Sequence, residues 1–207
     1  MKPIYISAFT KWSEEWDLKS LIVDANARRR MSRIVKMGVA TGLKCWDSAD
    51  LNADDTAIIT ATQYGCLTDS EKFLRQMIVA EETNLSPTPF IQSTFNTIGA
   101  QIALIKGCKG YNMTYVNRQY SLFDAYIDAA MLALEGKKVL LGYLDEQTPV
   151  LCDVASRMKG VDIFDGAVFM VVSSERPSCK HVVIDDIDML QPMTNADMLK
   201  MLVTLNA

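Results

Sequence analysis

His181 is the only histidine in the 207-residue chain, and that narrows the available chemistry at once. Acid–base catalysis near neutral pH ordinarily recruits an imidazole, because no other unperturbed side chain changes charge there. Any Cys–His or Ser–His mechanism must therefore run through His181, and a carboxylate pair would need tuning that spacing alone does not disclose. Cys179 stands two residues before His181, so on a strand the two would share a face. A metal or catalytic pair is the sharper reading of that spacing; a near-surface strand end without chemistry is the one favoured. The five cysteines, Cys45, Cys66, Cys108, Cys152 and Cys179, are odd in number and widely spaced, with no Cys-x-x-Cys. They outline neither a metal cluster nor a disulfide framework. No metal and no cofactor is expected.

Charge and hydropathy exclude further classes. Twenty-one basic against 25 acidic side chains leave a net charge of -4, so a nucleic-acid groove would have to be local. The one dense basic run is Arg28, Arg29, Arg30 and Arg33, and no nucleic-acid partner is expected. No window approaches the ~18 uninterrupted apolar residues of a membrane span. Met1-Lys2-Pro3-Ile4-Tyr5 leads into polar sequence rather than a signal-peptide core. Neither a span nor secretion is indicated, and cytoplasmic residence is the expectation.

The elements that would position any site follow from periodicity. Ile4 to Phe9 alternates as a strand, and Trp12 to Ile22 reads as an excursion. Between Ala27 and Val39, Met31, Ile34, Val35, Gly38 and Gly42 recur at helical spacing opposite Arg28, Arg29, Arg33 and Lys36. Thr56 to Thr62 is a buried-strand candidate. Thr68 with Glu71 three residues later forms a capping-box pattern ahead of Phe73, Leu74, Met77 and Ile78. Asn84 to Pro89 should end that helix and stay extended, and Ser93 to Lys106 should be helical with Phe95, Ile98, Ile102 and Ile105 on one stripe. Gly99-Ala100 on that helix allows a close approach. After the tight loop Gly107 to Asn112 comes a short strand, Met113 to Val116. Ser121 to Leu134 then forms a helix whose small residues Ala125, Ala129, Ala130 and Ala133 suit a position between layers, closed by Gly136. Lys138 to Leu144 is a near-continuous apolar run, as in a central strand covered on both faces. Polar connecting sequence from Pro149 to Gly160 leads to strands Ala167 to Ser173 and His181 to Ile187, joined by a hairpin turn at Glu175 to Ser178. This order predicts a layered α/β domain with a mixed central sheet and helices on both faces, with residues 1–207 as a single domain.

Several of these segments together resemble the N-terminal half of β-ketoacyl synthases, in the thiolase-like superfamily. The resemblance lies in Ser86-Pro87-Thr88-Pro89-Phe90, then Asn96 and Gly99-Ala100, then Gly107-Cys108-Lys109-Gly110-Tyr111-Asn112-Met113-Thr114. Arg29-Arg30-Met31-Ser32-Arg33 resembles that family's basic helix entry, and Gly166 to Val172 its late strand. The similarity runs through most of residues 1 to 187, and its specificity comes from the order of the motifs more than from any one of them.

Active members of the resembled family carry a cysteine where this strand ends and a buried helix begins. Backbone N–H groups and the helix dipole favour a thiolate at such a junction. Counting from Gly107 puts Gln119 at that place, so the resemblance implies a vestigial nucleophile position; the alternative is an ordinary polar residue at a strand-to-helix junction. An amide cannot accept an acyl group. Ser121 and Cys108 are read as structural. The family draws two histidines and a lysine from its second half, for which 207 residues leave no room, and His181 matches neither histidine.

Some relatives carry glutamine for the cysteine: the chain-length-factor subunits that pair with a competent synthase, and the loading domains that decarboxylate malonyl groups, which this chain resembles less because that decarboxylation depends on histidines absent here. The similarity implies a catalytically silent accessory subunit of fatty-acid or polyketide-type biosynthesis. The expected partners are a full-length ketoacyl synthase, in a homodimer or heterodimer arrangement, and an acyl carrier protein. The alternative is an acyl-thioester-processing enzyme, an acyltransferase or decarboxylase, using other residues. In the resembled family the strand before the nucleophile pairs across a two-fold axis, which places the candidate interface on Asn112, Met113, Tyr115 and Val116. The competing expectation is an edge covered within the monomer by Trp12, Trp16 or the early excursion.

Overall fold

The computed structural model describes residues 2–79, 85–158, 163–184 and 191–206. Its centre is a six-stranded sheet of β1 (Ile4–Lys11), β2 (Thr56–Ala61), β3 (Asn112–Tyr115), β4 (Lys138–Asp145), β5 (Gly166–Ser173) and β6 (His181–Ile184), in the order β3-β2-β4-β5-β1-β6. β2 runs parallel to β3 and to β4, while the β4–β5, β5–β1 and β1–β6 pairs are antiparallel. The sheet is mixed, as the sequence predicts.

Period-two alternation in the central strands divides the core between the two faces. Leu140 and Leu144 of β4, Ala167, Phe169 and Val171 of β5 and Ile58 of β2 face one layer. Val139, Leu141 and Tyr143, with Val168, Met170 and Val172, face the other. The first layer holds α3 (Arg33–Ser48) and α6 (Thr97–Lys106), joined by the short α1 (Leu18–Leu21) and α2 (Ala25–Arg30). The second holds α7 (Ser121–Leu134) and α9 (Asn195–Asn206). The buried alanines of α7 lie against the sheet, and Met131 on its outer side is exposed. The other helices are α4 (Leu67–Val79), α5 (Pro87–Gln92) and α8 (Pro149–Arg157).

Several expectations are corrected. The basic helix predicted from Ala27 to Val39 is two helices, because Met31 is extended and buried and Ser32 opens α3 from an extended conformation. Arg33 is exposed on the outer face of α3, as expected, and there forms a two-pronged pair with Asp165 at 2.8 and 3.0 Å. The proline segment does not stay extended. Pro87 occupies the first turn of α5, where its missing N–H costs nothing and its fixed φ is helical. Asn84 lies outside the described residues. Pro149 does the same for α8, helped by Thr148, whose hydroxyl accepts from the Leu151 N–H at 3.1 Å. The segment read as polar connection is therefore helical to Arg157.

The capping box does not form either. Thr68 is already inside α4 with its N–H donated to Glu146, and the Glu71 carboxylate accepts from Thr148 instead. Phe95 precedes α6 and, like Ile105, is substantially exposed. Gly99 does receive a close approach: the Asn112 side chain donates to its carbonyl at 3.0 Å. The expected hairpin of the last two strands is absent, since β1 is inserted between β5 and β6 and pairs with both. The stretch after Ile184 assigned to that last strand lies outside the described residues.

β3 is an edge strand. Its Tyr111 and Tyr115 carbonyls accept from Ile58 and Thr62 at 2.8 and 3.1 Å, so by alternation the peptide groups of Asn112 and Thr114 point away from the sheet. Trp12 and Trp16 do not cover this edge. They pack against each other beside α3, with Lys44 over the Trp16 ring.

Candidate functional site at the strand-to-helix turn

The chain leaves β3 at Tyr115, passes Val116 and Asn117, makes a 3-10 turn over Arg118–Tyr120 and enters α7 at Ser121. Arg118 holds a left-handed φ of 48°, a conformation that disfavours a side chain with Cβ. The turn is braced from within. Ser121 Oγ accepts from the Asn117 N–H at 2.8 Å and donates to the Arg118 carbonyl at 2.8 Å, and Asn117 Nδ2 donates to Asp124 in the first turn of α7 at 2.7 Å. The Ser121 hydroxyl is thus committed to the backbone and fully buried, which agrees with a structural role. Gln119 sits at the middle of the turn with its side chain exposed.

A cavity of about 1010 Å³ opens beside the turn, lined by Gln63 and Tyr64, by Arg118 and Gln119, by Tyr143 and Phe164, and by Asn195 and Lys200 among others. The loop that lines it at Gln63 and Tyr64 is organised by Asp145 at the end of β4. This buried carboxylate accepts from Thr62 Oγ1 at 2.7 Å and from the N–H groups of Gln63 and Tyr64 at 2.9 Å each, which fixes the loop between β2 and α4. Thr62 Oγ1 in turn accepts from the Gly65 N–H at 2.8 Å. Burial pushes the Asp145 pKa above the ordinary aspartate value, and the hydrogen bonds it accepts pull it back only in part. Burial also raises the Tyr143 phenol, with adjacent Asp145 adding to the shift. Next along the chain, Glu146 accepts from the Thr68 N–H at 3.0 Å, one of the donors a helix start leaves free. Its pKa is likewise raised by burial.

The opposite wall comes from α9. Asn195, 4% exposed, accepts from the Leu122 N–H at 2.9 Å and donates to the Arg118 carbonyl at 2.9 Å and to Gln63 Oε1 at 3.4 Å. Neither Asp145 nor Asn195 is among the residues singled out from sequence. An aspartate closing an apolar strand was the only available signal for the first, and an asparagine at a helix start for the second.

The remaining candidates fall elsewhere. His181 opens β6, at the opposite edge of the sheet from β3, with Nδ1 2.8 Å from the Cys179 carbonyl and its ring edge-on to Tyr5. Cys179 precedes that strand and is exposed, so the two do not share a strand face. Cys108 is buried and its thiol contacts the Thr56 carbonyl at 3.2 Å. Burial pushes Cys45 and Cys66 up to about 12, away from nucleophilic behaviour. Among the described residues no group of histidine, cysteine, aspartate and glutamate is arranged to hold a metal ion.

A mixed sheet with helices layered on both faces, and a turn leading from an edge strand into a buried helix, are the features of a thiolase-like α/β protein. Residues 8–198 match the family described as beta-ketoacyl synthase, N-terminal domain, and the chain belongs to that family. No curated protein matches the sequence. Among solved structures, the complex of the ketosynthase ApeO with its chain length factor ApeC from Xenorhabdus doucetiae contains a chain with 16% identity and a TM-score of 0.64; the match covers 81% of this chain and 77% of that one. A type II polyketide synthase acyl-carrier protein in complex with its ketosynthase bound to the hexaketide, AntDE:AntF, gives 13% identity and a TM-score of 0.70, over 84% of this chain and 62% of that one. The ishigamide ketosynthase/chain length factor gives 15% and 0.62, over 86% of this chain and 50% of that one. At these identities the likeness is one of fold.

Proposed function

We propose that residues 1–207 form one β-ketoacyl-synthase-like N-terminal domain acting as a catalytically silent accessory subunit of fatty-acid or polyketide-type biosynthesis. Its partner is a full-length ketoacyl synthase, with an acyl carrier protein as the other expected contact. The observation that carries this reading is Gln119 in the middle of the turn between β3 and α7, where an acyl-accepting thiol would be needed. A carboxamide has no lone pair suited to thioester exchange, the neighbouring Ser121 hydroxyl is spent on the backbone, and His181 stands at the far edge of the sheet.

The proposed contact surface is the β3 edge at Asn112, Met113, Tyr115 and Val116. Its support is a strand side with no pairing strand among the described residues and with outward peptide groups, ready to template another strand, flanked by Met113 and Val116 at 43% and 42% exposure. Tyr115 is the least free of the four, half-buried against α7 beside Tyr111 and Asp128. Two of the similar structures are a ketosynthase with its chain length factor and a ketosynthase with an acyl-carrier protein, which makes those two partner classes the ones to try first. The test is light-scattering mass of the purified chain alone and with a full-length β-ketoacyl synthase of the source organism, run beside a carbon dioxide release assay on malonyl thioesters. A stable complex with background release is expected; turnover by the isolated chain would favour the acyl-thioester enzyme instead.

A further inference from the structure

We propose that Asn195 is a positioning residue: by tying the first turn of α9 to the start of α7, it sets the shape of the turn around Gln119 and so of the surface a partner meets. The inference deepens the accessory-subunit reading and rests on that reading only for the partner.

Both ends of the Asn195 carboxamide are in use. Oδ1 accepts from Leu122 N–H, one of the donors the start of α7 leaves without an intrahelical partner, and Nδ2 donates to the Arg118 carbonyl. The same Nδ2 reaches Gln63 Oε1, on the loop that Asp145 anchors. One side chain therefore joins three walls of the cavity: the loop after β2, the turn before α7, and α9 itself. The site needs an acceptor and a donor on one short planar group, which asparagine supplies and aspartate does not.

Why the turn needs this support follows from its backbone. Arg118 is left-handed, and its carbonyl is held by Ser121 Oγ and Asn195 Nδ2. Ser121 belongs to the segment and moves with it. Among the described residues Asn195 is the side chain from another element that grips the segment. The remainder of α9 is seated by Met198 and Leu202, both buried against the α7 side of the sheet. Docking of α9 and geometry at Gln119 are thereby coupled through one carboxamide.

Native-state hydrogen exchange at the amides of residues 117–122 tests this with three variants. In Asn195→Ala, Leu122 and the turn amides should exchange about tenfold faster or more, the equivalent of losing one buried hydrogen bond, with β2 and β4 amides unchanged relative to global stability. Asn195→Asp keeps the acceptor for Leu122 and loses the donor to Arg118, so Leu122 should stay protected while the turn loosens; it also carries the test if the alanine variant does not fold. Leu202→Ala should speed exchange across α9 and the core without singling out the turn. Titration with a full-length β-ketoacyl synthase should show about tenfold weaker binding for Asn195→Asp than for Leu202→Ala.

Turn amides that exchange in both Asn195 variants as in the parent overturn the proposal, as does the same pattern in Leu202→Ala or equal synthase binding by parent and Asn195→Asp. If exchange responds as expected and no form binds a synthase, the positioning role stands and the accessory-subunit reading falls.

Discussion

Gln119 has neither the chemistry nor the surroundings of a nucleophile, so introducing sulfur there should add reactivity without adding turnover. In Gln119→Cys the thiol should alkylate readily, since the position is exposed, while malonyl decarboxylation and condensation remain at background. Product formed by this variant alone would show that the fold supplies the remaining catalytic groups itself. The native cysteines set the baseline. Iodoacetamide should label exposed Cys152 and Cys179 and spare buried Cys45, Cys66 and Cys108 until denaturant is added, with site occupancy read by peptide mass. Asp145 makes a pH prediction of definite sign. Its folded pKa is raised above the ordinary 3.8, so between that value and the folded one the native state holds the proton more tightly than the unfolded chain. Stability is lost as pH rises through that interval. Asp145→Asn should flatten this part of the denaturation profile. It should also cost about 1–3 kcal/mol overall, because with Oδ1 kept on Thr62 and Tyr64 the new NH2 takes the Oδ2 position against the Gln63 N–H, donor facing donor in a buried site.

Elements differ in how far local pattern determines them. β2 and β4 are legible because strands buried on both faces must be apolar throughout, and α7 because its alanines recur on one face. α5 and α8 are not, since six and nine residues are too few for periodicity to outweigh a proline that reads as a breaker. Their prolines sit in the first turn, where they start a helix. The Gln119 turn is legible through its motif, whereas Asp145 and Asn195 bind partners 83 and 73 positions away, a separation no local pattern encodes. Packing within the sheet gives an element-scale prediction. A methyl at Gly142 would lie 2.3 Å from the rigid Phe169 ring, so Gly142→Ala should destabilise by about 1–3 kcal/mol through overpacking, measurable as a lower denaturant midpoint. At the β3 edge, Met113→Lys places a charge on an exposed position. It should leave the monomer's denaturation midpoint within about 0.5 kcal/mol of parent while lowering the mass of any complex in light scattering. An unchanged complex would remove β3 from the contact surface.

At the scale of the whole molecule, the two cores share one sheet, and damage on either side is felt by the other through β4 and β5. The sheet order carries a further consequence, in the dimension of time. β1 is made before the other strands of its sheet, yet its two neighbours are β5 and β6, which come after residue 165. Until those segments leave the ribosome, β1 has no strand to pair with on either side. Pairings of such large sequence separation fold slowly, and an unpaired apolar strand is a hazard while it waits. Pulse-labelling during refolding should therefore find the β2–β4 amides protected before those of β1, and translation stalled ahead of β5 should yield chains that aggregate rather than half-built domains. A chaperone that binds extended apolar segments would find its longest-lived target in β1.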